Sequence, residues 1–392
     1  MEYLISVGIA TRNRQYYAEK VIKQILRLGD NIEICVSDNS DNEDLRSAIE
    51  RIEKNEQIKY KYTKGRISVV ENYNITAEIA TGEYYICIGD DDIILPTIFD
   101  VVNWMKNNKI DAVKTSRQLS YAWPVKGEYK GKMRVGFFTN DAYLFDAHKS
   151  VITLLKNGCQ GYLYSDMAGS YHSLVRMEKM NMVKEITGYY FNGFSPDIYS
   201  AVCLSLLPNM RCAHFGFPVS IPGHCKASAS YRGKKRKAVS SVEDAISNYS
   251  KKDYQWDKLV PYYYTPETTW AESAIKAVKM MGRDDLIDDY YCQEHLVNIL
   301  YKRWVEYRKE LLGFLTSDQK QMINIEKNYV NPNILNLDRT FFDKIVSRIN
   351  GDVRVYWNVE DNMCALRILM KYLNKKRQHK KWLEAISTVL HQ

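Results

Sequence analysis

The sequence predicts an α/β fold with a mostly parallel central sheet, followed by a helical C-terminal region. Three observations lead to this fold class. Short apolar runs alternate with segments of helical periodicity over the first 105 residues, as in strands joined by crossover helices. Polar clusters directly follow several of these runs. Beyond about residue 242, Gly and Pro become rarer and long helical patterns dominate.

The first 105 residues are expected to form four strands and four helices. Dense β-branched and aromatic residues predict strands over residues 4–10, 32–37, 58–62 and 84–88. Apolar residues at helical spacing predict helices over residues 17–28, 44–52, 69–80 and from Pro96 onward. Residues 111–237 are a mixture of short strands, aromatic residues and turns.

The length of 392 residues is sufficient for two domains, since a single core usually stops growing near about 250–300 residues. We predict an α/β domain over residues 1–237, with halves at about 1–105 and 106–237. An all-helical domain is predicted over residues 238–392.

Composition excludes several classes of protein. With 45% hydrophobic and 26% charged residues, the chain is neither collagen-like nor disordered. The eight cysteines include no CxxC pair, which favours reduced core residues of a cytosolic protein over disulfides or a zinc module. No signal peptide and no run of about 20 apolar residues is recognisable, so a soluble or peripheral protein is expected. The net charge of +8 suits phosphates or an anionic membrane surface better than duplex DNA, and no nucleic acid partner is predicted.

Three consecutive carboxylates, Asp90, Asp91 and Asp92, follow the predicted strand at residues 84–88. Ligands of open parallel sheets bind at the carboxyl ends of the strands, where residues 11–14 and 38–40 are also expected. Hard divalent cations prefer carboxylate oxygens and are often shared with substrate phosphates. The cluster therefore predicts a metal–diphosphate site, and the alternative is an acidic turn that caps the next helix. Neither a GxxxxGK[ST] loop nor a GxGxxG after the first strand is present, which disfavours P-loop and nicotinamide dinucleotide enzymes.

About the first 105 residues resemble the family 2 glycosyltransferases of the GT-A fold, and the resemblance extends more weakly to about residue 235. It is carried by a strand followed by TRNR, a strand followed by SDNS, and the stretch VVENYNITAEIATGEYYICIGDDDIILP. It implies an inverting, metal-dependent transferase that moves a hexosyl or N-acetylhexosaminyl group from a nucleotide-diphosphate donor, expected to be a UDP-sugar. The implied acceptor is a hydroxyl of a glycan or lipid-linked molecule in bacterial surface-polysaccharide synthesis. The implied cofactor is Mn²⁺ or Mg²⁺, and the implied location is the cytoplasm or the inner face of the cell membrane.

The resemblance also implies a nucleotide-sugar site, in which Asp38 would accept a hydrogen bond from the uracil N–H. Simpler interpretations remain open, because Asp38 could only begin a turn and Asn74 could lie on a helix surface. The implied site consists of Thr11, Arg12, Asn13, Asp38, Asn39, Arg66, Asn74, Asp90 and Asp91.

The family's D-x-D-D motif falls on residues 89–92, so Gly89 stands where the family usually has its first Asp. Either Asp91 is the main metal ligand, or Asp90 and Asp92 form a shifted pair. The expected ligands are Asp91, Asp92 and His224, whose ring nitrogen could complete the coordination. A structural role for His224 is the alternative.

Asp197 is the candidate catalytic base, which would take the proton of the acceptor hydroxyl. It lies in the sequence SPDIYS, which also reads as a helix start, so an N-capping role is the alternative. Residues 169–172 (GSYH) weakly resemble the family's substrate-side strand. The basic residues at 232–237 could close over the leaving diphosphate, or form a solvated loop.

The C-terminal basic run at residues 375–381 precedes an apolar helical face that contains Trp382. Such a helix can lie on an anionic membrane, and the alternative is a helix docked on its own domain. Two other functions remain open, a sugar-nucleotide nucleotidyltransferase and a non-catalytic glycan-binding or scaffold protein. The first lacks a proper Gly-rich loop after the first strand, and the presence of Asp91, Asp92 and Asp197 argues against the second.

Overall fold

The computed structural model describes residues 3–53, 55–115, 118–136, 138–139, 141–228, 241–249, 254–324, 354–375 and 378–389. The strands are β1 (Ile5–Thr11), β2 (Ile32–Asp38), β3 (Ile58–Tyr62), β4 (Tyr84–Gly89), β5 (Ile93–Ile94), β6 (Ala112–Thr115), β7 (Leu119–Ala122), β8 (Lys132–Val135), β9 (Ala142–Phe145), β10 (Leu174–Arg176), β11 (Cys212–Phe215), β12 (Ser220–Ile221), β13 (Gly223–His224) and β14 (Arg354–Trp357).

The helices lie between and after these strands. They are α1 (Gln15–Leu26), α2 (Asp44–Glu50), α3 (Val69–Glu78), α4 (Ile98–Asn107), α5 (Ala147–Lys156), α6 (Met177–Thr187), α7 (Pro196–Ser205), α8 (Val242–Tyr249), α9 (Pro266–Met280), α10 (Asp284–Tyr290), α11 (Gln293–Arg303), α12 (Arg308–Phe314), α13 (Ser317–Gln321), α14 (Asn362–Lys375) and α15 (Gln378–Thr388).

Within the described residues the central sheet has eight strands in the order β3-β2-β1-β4-β10-β6-β11-β9. The strands β3, β2, β1 and β4 are parallel to one another. Strand β10 is antiparallel to both β4 and β6, so β6 runs in the direction of β4, and β11 is parallel to β6. The carboxyl ends of β1, β2, β4, β6 and β11 therefore meet at one edge. The predicted α/β fold class is confirmed.

The first four strands and helices lie within two residues of most of their predicted bounds, because each has a clear apolar period. The odd-numbered residues of β1, from Ile5 to Ile9, are completely buried with Val21 and Ile25 of α1. The opposite face of the sheet, which includes Tyr85 and Cys87 of β4, packs in a second cluster with α5, α6 and α7. Burial of each large aliphatic side chain contributes about 1.5–3 kcal/mol, which is enough to fix these registers.

The C-terminal region is mainly helical, but it differs from a separate all-helical domain. Strand β14 pairs with β8, and so completes a four-stranded sheet of order β13-β7-β8-β14. Helix α9 packs against α7, whereas α14 packs against α1. Strand β14 has only four residues, so its pattern is too short to be recognised among the surrounding helical patterns. The predicted boundary at residue 237 lies outside the described residues.

The apolar face of α15 is covered by the protein itself. Trp382 is 1% exposed and stacks on Phe217 with ring centroids 4.5 Å apart. Ile386 and Val389 are also buried, and the Ile386 carbonyl accepts a hydrogen bond from Trp104 Nε1. The face proposed for membrane contact is therefore occupied by intramolecular packing, as in the docked alternative. In the described part of the chain, no helix combines the length and apolar character needed to cross a membrane.

Candidate active site

The polar clusters after β1, β2 and β4 meet at one edge of the sheet, as expected from the sequence. Thr11 is the register partner of Asp38, and Ala10 is the partner of Gly89, the residue before the acidic cluster. The Thr11 hydroxyl donates to Asp90 Oδ2 at 2.6 Å. Residues 79 positions apart in sequence are thus joined directly across the strand ends.

Arg14 provides the positive charge that faces two of the three adjacent carboxylates, Asp90 and Asp91. Its Nε donates to Asp90 Oδ2 at 2.9 Å, its Nη1 lies 3.3 Å from Asp91 Oδ2, and its Nη2 forms a second contact with Asp90. Burial raises the pKa of Asp90 to about 7, against the lowering effect of Arg14. Burial likewise raises the pKa of Asp91. Arg14 belongs to the TRNR stretch, but its local sequence does not indicate this role.

Asp92 is held on the other side of the cluster by backbone amides and a histidine. Its two oxygens accept from the amides of Gly89 and Gly223, each at 2.6 Å. His172 Nε2 lies 3.1 Å from Asp92 Oδ2, and His172 Nδ1 is 2.7 Å from Ser220 Oγ. Asp92 is therefore fixed by its own turn and by two distant segments, at His172 and Gly223, that the fold brings to it.

The segment at residues 223–225 lies directly against the acidic cluster. The Cys225 amide donates to Asp91 Oδ2 at 3.0 Å, and Trp123 Nε1 donates to the Asp91 carbonyl at 2.7 Å. A Cβ atom on Gly223 would lie 1.7 Å from the Asp91 carbonyl oxygen, so only glycine permits this approach. His224 lies between Gly223 and Cys225, in strand β13, which pairs with β7.

The expected metal ligands lie in neighbouring segments, but they are not arranged as a site. Across the described residues, no group of three or more His, Cys, Asp or Glu side chains is positioned to hold a metal ion. Carboxylate oxygens suit Mg²⁺ and Mn²⁺ in chemistry. In this arrangement, however, Asp91 accepts from Arg14 and the Cys225 amide, and Asp92 from two amides. A cation at Asp91 would compete with Arg14 for the same oxygen.

The predicted nucleotide-binding residues on β1 and β2 form a tight polar network. Arg12 Nη1 donates to Asn39 Oδ1 at 2.8 Å, and the backbone amide of Asn13 donates to Ser40 Oγ at 2.8 Å. Asp38 is fully buried. Its two oxygens accept from the Ser40 amide and the Tyr60 hydroxyl, each at 2.8 Å. Asp38 therefore does organise the turn after β2, as in its simpler interpretation.

The loop that carries Arg66 is tied to this network through Asn39. The Asn39 side chain donates to the Thr63 carbonyl at 3.0 Å and accepts from the Ile67 amide at 3.1 Å. Arg66 itself is exposed at the tip of this loop. The structure thus places Arg12, Asn39 and the Arg66 loop side by side.

Asn74 has a different position from the one implied by the resemblance. Its Nδ2 donates to the carbonyls of Val70 and Phe191, both at 2.8 Å. Its Oδ1 accepts from the amides of Tyr190 at 2.9 Å and Phe191 at 3.2 Å. Three of these four bonds commit the amide to the backbone of residues 190 and 191 rather than to a nucleotide. They satisfy backbone polar groups that no strand of the described chain pairs with.

Asp197 lies in the first turn of α7 and lines a cavity of about 200 Å³. Ser195, not Asp197, occupies the N-cap position of this helix. The carboxylate accepts from the Tyr162 hydroxyl at 2.5 Å and from Ser195 Oγ at 2.8 Å. The cavity also contacts Tyr73 and Cys87, and Cys87 lies two residues before the end of β4. Asp197 therefore shares a crevice with the strand that leads to the acidic cluster.

Besides Arg14, four contributors to the site were not expected from the sequence. Tyr73, Tyr162 and His172 lie beside the key carboxylates, and only His172 had a weak signal, in the GSYH stretch. Ser273 of α9 accepts from the amides of Phe194 at 3.0 Å and Ser195 at 2.9 Å, and so holds the loop before Asp197. The basic residues at 232–237 lie outside the described residues.

The chain matches a model of a known family over part of its length. Residues 6–151 match the family described as "Glycosyl transferase family 2". The matched segment includes Thr11, Asp38 and the acidic cluster but ends before Asp197. No curated protein matches the chain at a significant level.

Several solved structures are similar to the chain. S. aureus TarS (residues 1–349) in complex with UDP-GlcNAc is 11% identical, with a TM-score of 0.43, over 81% of this chain and 83% of that chain. The mannosyltransferase PcManGT from Pyrobaculum calidifontis, in complex with GDP-Man and Mn²⁺, is 12% identical, with a TM-score of 0.38, over 86% of this chain and 88% of that chain. The region that carries the strand-end cluster thus matches glycosyl transferase family 2, and this match supports a glycosyltransferase.

Proposed function

We propose that the protein is an inverting glycosyltransferase that uses a nucleotide-sugar donor. The observation that carries this proposal is the shared crevice of Asp197 and the end of β4. A carboxylate at such a place can reach an acceptor hydroxyl while the donor occupies the strand ends. The match of residues 6–151 to the family model supports the same reaction class.

The proposed step is a single displacement at the anomeric carbon of the donor sugar. The acceptor oxygen forms a bond to this carbon, and Asp197 takes the hydroxyl proton. The bond from the anomeric carbon to the phosphate oxygen breaks, and its electron pair leaves with the nucleoside diphosphate. The hydroxyls of Tyr162 and Ser195 hold both oxygens of Asp197 in position for this transfer.

The donor is proposed to lie over the network formed by the ends of β1 and β2. Thr11, Arg12 and Asn13 line its β1 side, and Asp38 and Asn39 line its β2 side, with the Arg66 loop next to them. A UDP-sugar fits the proposal that Asp38 accepts a hydrogen bond from a uracil N–H. Each Asp38 carboxylate oxygen accepts one hydrogen bond within the protein and keeps a lone pair for another.

A divalent ion, Mn²⁺ or Mg²⁺, is proposed at Asp91 and Asp92, with His224 nearby, where it would offset the charge of the diphosphate. Arg14 already balances part of the charge of this cluster and would have to release Asp91. The proposed acceptor is a glycan or lipid-linked hydroxyl of a bacterial surface polysaccharide, and the transferred group a hexosyl or N-acetylhexosaminyl unit. The proposed location is the cytoplasm.

The proposal is tested with a panel of nucleotide sugars, with Mn²⁺ and with EDTA. Binding is measured by calorimetry, and slow donor hydrolysis by release of the nucleoside diphosphate. We expect one donor to bind and turn over, and EDTA to abolish the turnover. If no nucleotide sugar binds, the transferase proposal is wrong. Binding without any turnover would instead indicate a non-catalytic sugar-nucleotide-binding protein.

A matched variant separates catalysis by Asp197 from the general effect of removing a carboxylate at a helix start. Asp197→Asn should remove turnover and leave donor binding intact. Asp146 is the N-cap of α5, outside the crevice, where its carboxylate accepts from the Lys149 amide at 3.2 Å. Asp146→Asn should therefore leave turnover unchanged. Loss of donor binding in Asp197→Asn would mark Asp197 as a structural residue.

A further inference from the structure

A second and larger cavity, of about 540 Å³, lies between α3, residues 188–192 and α9. It is separated from the Asp197 cavity by the junction at which Asn74 bonds the backbone of residues 190 and 191. Tyr73 and Phe191 line the smaller cavity, while the next residues, Asn74 and Asn192, line the larger one. A molecule in the larger cavity would therefore contact the loop that leads to Asp197.

The charges of this cavity disfavour an anionic ligand. Its only cationic side chain among the described lining residues is Lys276, whose Nζ lies 3.4 Å from the fully buried Glu272 carboxylate. The same Nζ lies 3.3 Å from the centre of the Tyr254 ring. Glu71 and Glu78 line the α3 side. Glu78 pairs with Lys184 at 3.6 Å, and Glu71 forms a capping box with Ser68 at the start of α3. With these partners counted, the lining carries no excess positive charge that would attract a phosphate or a nucleotide.

The remaining lining suits a neutral polyhydroxylated molecule. Tyr189 is 38% exposed, and with Tyr254 it supplies aromatic surface, while Asn192 and the glutamates supply hydrogen-bonding groups. Sugar rings have apolar C–H faces that pack on aromatic rings and hydroxyls that bond to amides and carboxylates. The volume lies within the range of about 300–1,000 Å³ that is typical of ligand sites.

We propose that this cavity binds a neutral saccharide, as the part of the acceptor glycan that follows the sugar at Asp197. Its role as an acceptor subsite rests on the proposed function, whereas saccharide binding itself does not. The loop of residues 188–197 would contact the glycan on one side and carry the proton acceptor on the other. The cavity would thus select acceptors that are already glycans and reject charged ones.

A glycan array that displays neutral and anionic oligosaccharides tests this site directly. We expect the full chain to bind neutral members, and Tyr189→Ala to lower the affinity for them by about tenfold, as for the loss of one aromatic contact. Tyr262 is a matched control, since it is 39% exposed and does not line the cavity. Tyr262→Ala should bind as the wild type does.

Three results would overturn the site: no binding to any oligosaccharide, binding to anionic members alone, or equal affinity of Tyr189→Ala and the wild type. Donor turnover in water, measured on the same variants, separates this proposal from the proposed function. Turnover without saccharide binding would leave the transferase intact and remove the subsite. Saccharide binding without turnover of any donor would keep the site and remove the transferase.

Discussion

The guanidinium of Arg14 donates from Nε to the Asp90 carboxylate at 2.9 Å and joins the turn after β1 to the turn after β4. Asp90 is completely buried, and Arg14 also reaches Asp91. Removing one partner of a buried ion pair leaves an uncompensated charge, which typically costs about 3–5 kcal/mol. We expect Arg14→Met to lower the free energy of unfolding by this amount in urea denaturation.

Lys23 is the control for this prediction. It pairs with Glu19 at 2.6 Å on α1, and the two side chains are 50% and 33% exposed. Exposed pairs contribute about 0–1 kcal/mol, so Lys23→Met should cost little. Equal losses in the two variants would show that Arg14 does not balance a buried charge.

Asn74 is expected to be a structural residue. Asn74→Ala removes four bonds to residues 70, 190 and 191, and leaves buried backbone groups unsatisfied, so we expect a loss of about 2–3 kcal/mol of stability. The affinity for a nucleoside diphosphate, measured by calorimetry, should not change. Weakened nucleotide binding in a variant of normal stability would support the role implied by the family resemblance.

Tyr162 is predicted to be a positioning residue for Asp197. Tyr162→Phe removes one of the two hydroxyl donors to this carboxylate, and we expect kcat to fall by about tenfold at an unchanged KM for the donor. Tyr143 is the control, because its hydroxyl likewise donates to a carboxylate, that of Asp166, at 2.8 Å. A fall in kcat of the same size in Tyr143→Phe would indicate a general effect of tyrosine removal.

Glu272 is predicted to make stability depend on pH. Burial raises its pKa to about 7, against the lowering effect of Lys276. The unfolded chain releases this proton near its usual pKa, so the folded state binds more protons between about pH 4.5 and 7, and stability falls as pH rises through that window. Glu272→Gln removes the effect. The measured quantity is the free energy of unfolding of Glu272→Gln minus that of the wild type. This difference should be larger at pH 8 than at pH 5, by up to about 3 kcal/mol. The same difference at both pH values would refute this prediction.

Local patterns predicted the first half of the α/β region well, because β1 to β4 and α1 to α4 each carry a complete apolar period. The same information placed Asp38, Asp90 and Asp197 on the correct kinds of element. It could not pair Arg14 with Asp91 or Ser273 with the loop before Asp197, since these contacts join segments 77 to 79 positions apart. Likewise, the periodicity of α15 predicted an apolar face but not the residues that pack on it. One of these is Phe217, which stacks on Trp382.

The pairing of β14 with β8 has a consequence for biosynthesis. Arg354 is the register partner of Val135, so the four-stranded sheet stays incomplete until the ribosome has synthesised residues 354–357. Contacts between such distant residues form slowly, because a long loop must close before they stabilise the fold. Strand β8 and the α1 surface therefore emerge from the ribosome uncovered. Their final packing waits for β14 and α14, which are synthesised more than 200 positions later.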